Sequence, residues 1–358
     1  MSFSQRASSF FAFAASLLLI PTSQSWSVQE LTDSQVDRAL EAIWLKTPAP
    51  EKRSPDSAKR AALEAYLTRL GPGTELLTTP EKPGDLPPAV PFAPLQFHSE
   101  VVTPSTGYVR LGAFIEDLPA RLDPVLRDFV QIGVRNVILD LRATPAQGNL
   151  ALAGEVSGCF LPEGTQAFQI RSSNSALETV RTQKKPVSQF KLVVLTGERT
   201  AGPVEALAAA LRAHGGALLL GVSTQGQAAD FELVPLGKER FLRLPIREAL
   251  VRGAPALVPD GVHPDIICNA TPEATDAALL KEAQEGRVTS ILKETERPRL
   301  NEAALVAGTN PETEAWIQTQ LHRNQPKPAP LPKDAALSMA LDFLVGWEAL
   351  YGRALALP

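Results

Sequence analysis

Residues 191–222 decide the fold, and they read KLVVLTGERTAGPVEALAAALRAHGGALLLGV. The stretch opens with an almost wholly apolar run (191–196), which is typical of a strand buried on both faces of a sheet. An Ala/Leu-rich segment of helical length (202–214) follows, and a second apolar run (217–222) ends the stretch. A strand, a helix and a strand in this order predict a βαβ unit, in which a helix joins two parallel strands.

The alternation of apolar strands and helical segments continues on the amino-terminal side of this unit. Its members are a strand GYVRLGAF (107–114), a helix with an apolar face between Leu118 and Val130, a buried strand NVILDL (136–141) and a helical segment (149–160). On the carboxyl-terminal side, two apolar runs (231–236 and 240–246) surround Gly237-Lys238 and predict a β-hairpin. We therefore expect an α/β fold with a largely parallel sheet and flanking helices.

Proline-rich stretches and helical periodicity divide the rest of the chain into segments. Six prolines between residues 79 and 95 predict an extended linker. The expected segments are, in chain order, a leader (1–25), a helical amino-terminal segment (28–78), the linker (79–106), the α/β core (107–270), a helical extension (271–324), a Pro-rich spacer (325–333) and a carboxyl-terminal helix (334–358).

Residues 1–25 have the pattern of a secretory signal peptide. Arg6 is their only charged residue, and the apolar run 10–20 is too short to span a bilayer comfortably. Ser23 and Ser25 supply small side chains for cleavage. We therefore expect a cleaved leader and an exported protein, periplasmic or in the cell envelope. A retained anchoring helix is the alternative.

Charge and residue usage argue against several classes of function. The 358-residue chain has a net charge of −4, which disfavours nucleic acid and anionic membranes as partners. None of the four histidines has the spacing of a metal site, and no Gly-rich phosphate loop opens a helix. We therefore expect no metal, nucleotide or other cofactor. Cys159 and Cys268 either pair in an oxidising compartment or remain two separate buried thiols.

Five runs of sequence point to one family. They are GYVRLGAF (107–114), VILDLRATPAQGN (137–149), CFLPEGT (159–165), LVVLTGERTAGPVEALAAALRAHGGALLLGVSTQGQ (192–227) and LVPDGVHPDI (257–266). In sequence and in order they resemble the tail-specific or carboxyl-terminal processing peptidases. The resemblance implies a crotonase-like peptidase core. Residues 82–106 are too few for the PDZ domain that this family usually places before the core, so the resemblance implies a core without it.

The resemblance also locates the two reacting groups of the family, a serine nucleophile and a lysine general base. The family's serine stands three residues before a glutamate, which here is Glu205, so Gly202 occupies the serine position. The family's lysine ends a stretch that here reads Gly221 to Gln227, so Gln227 occupies the lysine position. Glycine has no side chain that can attack, and glutamine cannot take a proton at neutral pH.

The two oxyanion-stabilising positions implied by the resemblance are altered as well. The residue after the serine position is Pro203, which has no backbone N–H to donate. The second donor of the family comes from a Pro-Gly-Gly turn, where this chain has Ala146 in place of a glycine. Because the loss of one such donor costs roughly 10²–10³ in rate, the resemblance implies a pseudoprotease that binds polypeptide or scaffolds a partner without hydrolysis.

Two other interpretations remain open. Thr200 and Ser223 lie near the altered positions and could act as displaced nucleophiles, with Lys238 or His214 as base, in an active serine endopeptidase of the same family. Otherwise their hydroxyls only bond nearby backbone in turns. The third possibility is a structural envelope protein whose cleft is filled by residues 79–106 or 325–333. The expected partner is a client polypeptide or a cell-envelope protein, and the oligomeric state is left open.

Overall fold

The structure, a computed structural model, describes residues 32–46, 55–78, 93–173, 177–288, 292 and 334–351. The chain divides into two compact units, residues 1–65 and 66–358. Several expected segments lie outside the described residues: the leader (1–25), residues 79–92 of the linker, most of the extension beyond Val288 and the spacer (325–333). None of the helices in the described ranges has the length and apolarity needed to cross a membrane.

Seven α-helices and eleven strands are labelled within the described ranges. The helices are α1 (Asp33–Lys46), α2 (Pro55–Leu70), α3 (Leu118–Gln131), α4 (Leu150–Ser157), α5 (Pro203–Gly215), α6 (Pro272–Glu285) and α7 (Ala335–Tyr351). The strands are β1 (Glu75–Leu77), β2 (His98–Thr103), β3 (Thr106–Arg110), β4 (Asn136–Asp140), β5 (Gln166–Ser172), β6 (Leu177–Arg181), β7 (Lys191–Thr196), β8 (Leu218–Gly221), β9 (Ala229–Gly237), β10 (Arg240–Leu250) and β11 (Ile266–Ile267). A short 3₁₀-helix (Ala93–Leu95) precedes β2.

The predicted βαβ unit is confirmed, and it forms the centre of a six-stranded sheet. Strands β7 and β8 pair in parallel, and α5 connects them. The strand order is β11-β8-β7-β4-β3-β2, and every pairing is parallel except that of β2 with β3. All five residues of β4 are buried, as expected for an apolar strand covered on both faces. The carboxyl ends of β4, β7 and β8 therefore meet at one edge of the sheet.

A second sheet is entirely antiparallel, so the prediction of a largely parallel sheet is not confirmed for the fold as a whole. Strand β10 pairs with β1, β5 and β9, and β5 pairs with β6. The predicted hairpin is confirmed as β9 and β10. Its turn residues Lys238 and Glu239 both have positive φ (50° and 59°), the geometry of a type I′ turn, whose twist matches that of the strands it joins. The protein is a mixed α/β fold with two sheets.

Apolar residues cover the parallel sheet on both faces. On one face Val137, Leu139, Val194 and Leu219 pack in a core shared with α3, α4 and α5. On the other, Ile138, Val193 and Leu220 pack with residues of α7. The split follows from the two-residue period of strands, in which neighbours point to opposite faces. Cys159 belongs to the first core and Cys268 to the second, and both are free buried thiols.

Candidate functional site

The serine position lies at the junction between β7 and α5. Gly202 is the residue before α5, with φ 81° and ψ −149°, a conformation that side-chain-bearing residues rarely adopt. Pro203 is the first residue of the helix, where a missing N–H costs the helix nothing because that group has no partner inside the helix. For the oxyanion role, however, the missing N–H leaves no donor. The local sequence therefore forms a stable helix start with no backbone donor at position 203.

Gly202 and Ala146 pack against each other. A Cβ atom on Gly202 would lie 3.0 Å from Cα of Ala146 and 3.3 Å from its Cβ, closer than side chains normally approach. The turn that carries Ala146 is held in place by two backbone bonds, Gln147 N–H to Pro145 O (2.8 Å) and Ala201 N–H to Thr144 O (3.3 Å). The structure thus brings together two of the altered positions and closes the space between them.

Glu205 joins the loops that carry the serine and lysine positions. Its carboxylate is fully buried and accepts hydrogen bonds from the backbone N–H groups of Gly202 (2.9 Å), Gly226 (2.8 Å) and Gln227 (2.7 Å) and from the Thr224 hydroxyl (2.5 Å). Burial raises the pKa of the Glu205 carboxyl, although the hydrogen bonds from Thr224 and the backbone oppose the shift. Four donors facing two oxygens favour the carboxylate form. The sequence identified Glu205 only as a marker of register.

The side chain at the lysine position is half-buried, and its oxygen lies against the segment before β1. The Gln227 side chain donates through Nε2 to Oε1 of Gln225 (2.8 Å). Its own Oε1 is buried and makes no hydrogen bond within the described structure. A Cβ on Gly73 would lie 2.9 Å from that oxygen, so the side chain ends against this glycine. Gln227 and Gly202 lie in the same site, since the backbone N–H groups of both bond to Glu205.

Thr200 is held by the turn in which it lies. Its side chain is fully buried, and its hydroxyl donates to the backbone oxygen of Leu141 (2.9 Å) and accepts from the N–H of Gly197 (3.0 Å). A hydroxyl whose proton is already bound to a backbone carbonyl is not poised for attack. These are the bonds expected of a turn hydroxyl.

Ser223 is exposed and lies near a histidine that sequence analysis did not pair with it. Its Oγ is 2.8 Å from Nδ1 of His263, a residue that lies 40 positions later in the chain. In the described part of the chain neither this hydroxyl nor that of Thr200 bonds to Lys238 or His214. His263 lies in an irregular segment before β11, and its separation from Ser223 along the chain gave no sign of the contact.

A buried ion network anchors the turn that carries Ala146. Asp140, the last residue of β4, pairs with Arg142 two residues later, with Arg142 Nε 3.0 Å from Oδ1 of Asp140. Arg142 also binds both carboxylate oxygens of Asp334 (2.8 and 2.6 Å), which in turn caps α7 through the N–H of Leu337 (2.9 Å). Although burial opposes it, the Arg142 guanidinium holds the pKa of the Asp140 carboxyl below its usual value.

Asp334 had no signal in the sequence, because nothing near it in the chain marks the approach of Arg142. Across the described residues, no group of three or more His, Cys, Asp or Glu side chains is arranged to hold a metal ion.

A comparison with protein-family models places the site within one matched region. Residues 105–268 match the model of peptidase family S41. They form an S41 peptidase domain. The S41 domain is homologous to carboxyl-terminal processing proteases. It is 28% identical over 130 residues to the carboxy-terminal processing protease CtpA of Bacillus subtilis, covering 36% of this chain and 28% of that protein.

A second relative is carboxyl-terminal-processing peptidase 1, chloroplastic, of Arabidopsis thaliana. It is 34% identical over 141 residues, covering 37% of this chain and 28% of that protein. This chain thus spans less than a third of the length of either relative.

Two solved structures are similar to this chain at low identity. The photosystem II D1 C-terminal processing protease superposes with a TM-score of 0.45 at 22% identity, over 57% of this chain and 54% of that one. A putative S41 protease from Bacteroides fragilis superposes with a TM-score of 0.43 at 17% identity, over 60% and 57% of the two chains.

Proposed function

We propose that this S41 domain is a pseudoprotease, which binds polypeptide and does not hydrolyse it. The observation that carries the proposal is the contact between Gly202 and Ala146, with Pro203 directly after it. The position of the nucleophile has no side chain, no room for one and no N–H beside it. Each of these losses alone lowers the rate of acyl transfer by orders of magnitude.

The absence of a base supports the same proposal. The side-chain nitrogen of Gln227 is an amide that cannot accept a proton near neutral pH, and it is already bonded to Gln225. Glu205 is the nearest buried acid that touches both loops. Its carboxylate is occupied by four donors, so it serves to hold the loops and not to move protons.

An exposed strand edge supports polypeptide binding. Within the described residues β6 pairs only with β5, and all of its side chains except the half-buried Val180 are exposed. Residues 178–181 of this strand line a cavity of about 350 Å³, whose opposite wall includes Ala151 and Glu155 of α4. An extended peptide can add to such an edge through backbone hydrogen bonds alone, which needs no nucleophile.

The proposed setting is the periplasm or the cell envelope, with a client polypeptide or an envelope protein as partner. Support comes from the leader pattern of residues 1–25 and from the net charge of −4, which does not favour nucleic acid. Fractionation of cells that express the full chain, with the mass of the purified product, tests both export and cleavage.

The test of the pseudoprotease compares turnover and binding in one preparation. The native chain should release no fluorescence from a labelled unfolded protein but should bind a labelled extended peptide. Ala151→Trp, which fills the cavity beside β6, should abolish that binding, whereas Ala213→Trp on the exposed face of α5 should not. Turnover that survives repurification would contradict the proposal, and so would binding unaffected by Ala151→Trp.

The second candidate function is an active serine hydrolase, and the 2.8 Å contact between Ser223 and His263 favours it. A histidine beside a serine hydroxyl is the arrangement that activates this nucleophile. If the native chain hydrolyses the labelled protein and both Ser223→Ala and His263→Gln abolish turnover, this candidate replaces the pseudoprotease. The control variant is Ser105→Ala, which removes a serine hydroxyl that bonds to Glu348. Thr224 is nearer to Ser223, but it is not a suitable control because its hydroxyl is bound to Glu205.

A further inference from the structure

A buried carboxyl group on α6 faces a partly exposed imidazole on β2 whose Nε2 atom is buried, and neither makes the hydrogen bond that the other could provide. Glu282 is 1% exposed; its Oε2 binds Arg110 Nη1 and lies 3.5 Å from the Tyr108 hydroxyl. Its Oε1 makes no hydrogen bond within the described structure and lies 3.8 Å from Nε2 of His98. That nitrogen is also buried and makes no hydrogen bond there.

The charges around this contact do not balance. Five ionisable side chains are connected through Tyr108, namely the guanidinium groups of Arg110 and Arg142 and the carboxyl groups of Asp140, Asp334 and Glu282. All are at most 3% exposed. An excess buried negative charge is costly, and a single proton removes it. Glu282 Oε1 and His98 Nε2 are the two atoms in position to hold that proton.

We propose that Glu282 and His98 form a proton-operated latch that docks α6 on the core sheet. The latch is closed when the pair holds one proton between Oε1 and Nε2, and it loosens when that proton leaves. This inference is independent of the proposed function.

Other charged groups face the pair from every element packed against it. On β2 the group is Glu100, whose Oε2 lies 3.6 Å from Nε2 of His98. The groups on the neighbouring strands and before α7 are Tyr108, Arg110, Asp140, Arg142 and Asp334. Those on α6 itself are Asp276, Lys281 and Glu285. Glu100 accepts the N–H of Val288 (2.6 Å), just after α6. Asp276 binds Arg199, and Lys281 lies 3.7 Å from Glu285.

The direction of the pH effect follows from how burial changes each pKa. Burial raises the pKa of Glu282 from 4.5 to about 7, so its stabilising contribution is complete below about pH 4.5 and is lost as the pH rises through about 7. Burial and Arg110 lower the pKa of His98, so its contribution is present above pH 6.5 and is lost as the pH falls through the lowered value. The latch is therefore strongest in mild acid, with the proton on Glu282.

Hydrogen exchange of the full chain between pH 5.5 and 8 tests the latch. After correction for intrinsic exchange rates, protection of peptides covering α6 should fall by roughly tenfold or more across this range, because one proton is lost. Glu282→Gln is permanently neutral and should make that protection independent of pH. Glu285→Gln on the same helix should keep the native dependence, since Glu285 is exposed and pairs only at the surface with Lys281.

A second variant separates loss of the latch from loss of the fold. His98→Gln places an N–H donor opposite Oε1 of Glu282, which stabilises the carboxylate and should move the midpoint to lower pH. Protection of α6 that does not change with pH in the native chain would overturn the proposal, whatever the variants do. So would an unchanged pH dependence in a folded Glu282→Gln protein.

Discussion

The backbone N–H groups of Gly202 and Gln227 both donate to one atom, Oε1 of Glu205 (2.9 and 2.7 Å). The two positions that would carry a nucleophile and a base are therefore neighbours, although neither carries a reactive side chain. The architecture of the site is held by backbone groups and a buried carboxylate. No bond in this framework depends on a side chain at position 202 or 227.

Replacing Glu205 by Gln should destabilise the protein by about 3 kcal/mol, because an amide cannot accept from four donors and leaves buried N–H groups unpaired. Urea unfolding of the purified chain measures the effect. Glu198→Gln, an exposed residue in the loop before α5, is the matched control and should change stability little. Equal stabilities for the native and Glu205→Gln chains would contradict the role assigned to Glu205.

A side chain at position 202 should be costly for two separable reasons. Gly202→Ala should lose about 3 kcal/mol and Gly216→Ala about 1 kcal/mol, because both have positive φ but only Gly202 meets a neighbour. A Cβ on Gly216 would meet no atom within 4 Å. Adding Ala146→Gly to Gly202→Ala should recover part of the difference. No recovery in the double variant would show that Ala146 does not close the site.

Acid should weaken the buried ion network of Asp140, Arg142 and Asp334, and Asp140 should account for much of the lost stability. Because Arg142 holds the folded pKa of Asp140 below 3.8, its contribution is present above that value and is lost as the pH falls through the folded pKa. Asp140→Asn should lower stability by about 3–5 kcal/mol at pH 7 and flatten the acid side of the stability profile. Asp342→Asn on the exposed face of α7 should leave the profile intact. A parallel loss of stability in both variants would contradict this assignment.

The thiols should be free and slow to react in the folded protein. Both cysteines are buried. Burial raises the pKa of the Cys159 thiol to about 11, so almost none of the Cys159 side chain is ionised at pH 8. A thiol reagent at pH 8 should label neither residue in the native chain and both in urea without reductant. Labelling in urea that requires a reductant would indicate a disulfide instead.

Local sequence determined where the main strands and helices of the core lie along the chain. Apolar runs such as 191–196 and the Ala/Leu-rich segment before Gly215 predict buried strands and a covering helix because burial requires that pattern. The resemblance to the carboxyl-terminal processing peptidases, with Glu205 as the marker of register, assigned the serine position to Gly202 and the lysine position to Gln227. The antiparallel second sheet was missed in part, since β5 and β6 carry polar residues that do not signal a strand.

Only the tertiary structure decided what these residues touch. The contact of Gly202 with Ala146, the convergence of two loops on Glu205, and the pairing of Glu282 with Arg110 join residues that are far apart in the chain. Such contacts depend on how helices and strands pack, and a residue pattern carries no record of its distant partners. The sequence and its resemblance therefore identified the altered positions, whereas packing determined which residues surround them and which buried polar atoms face each other.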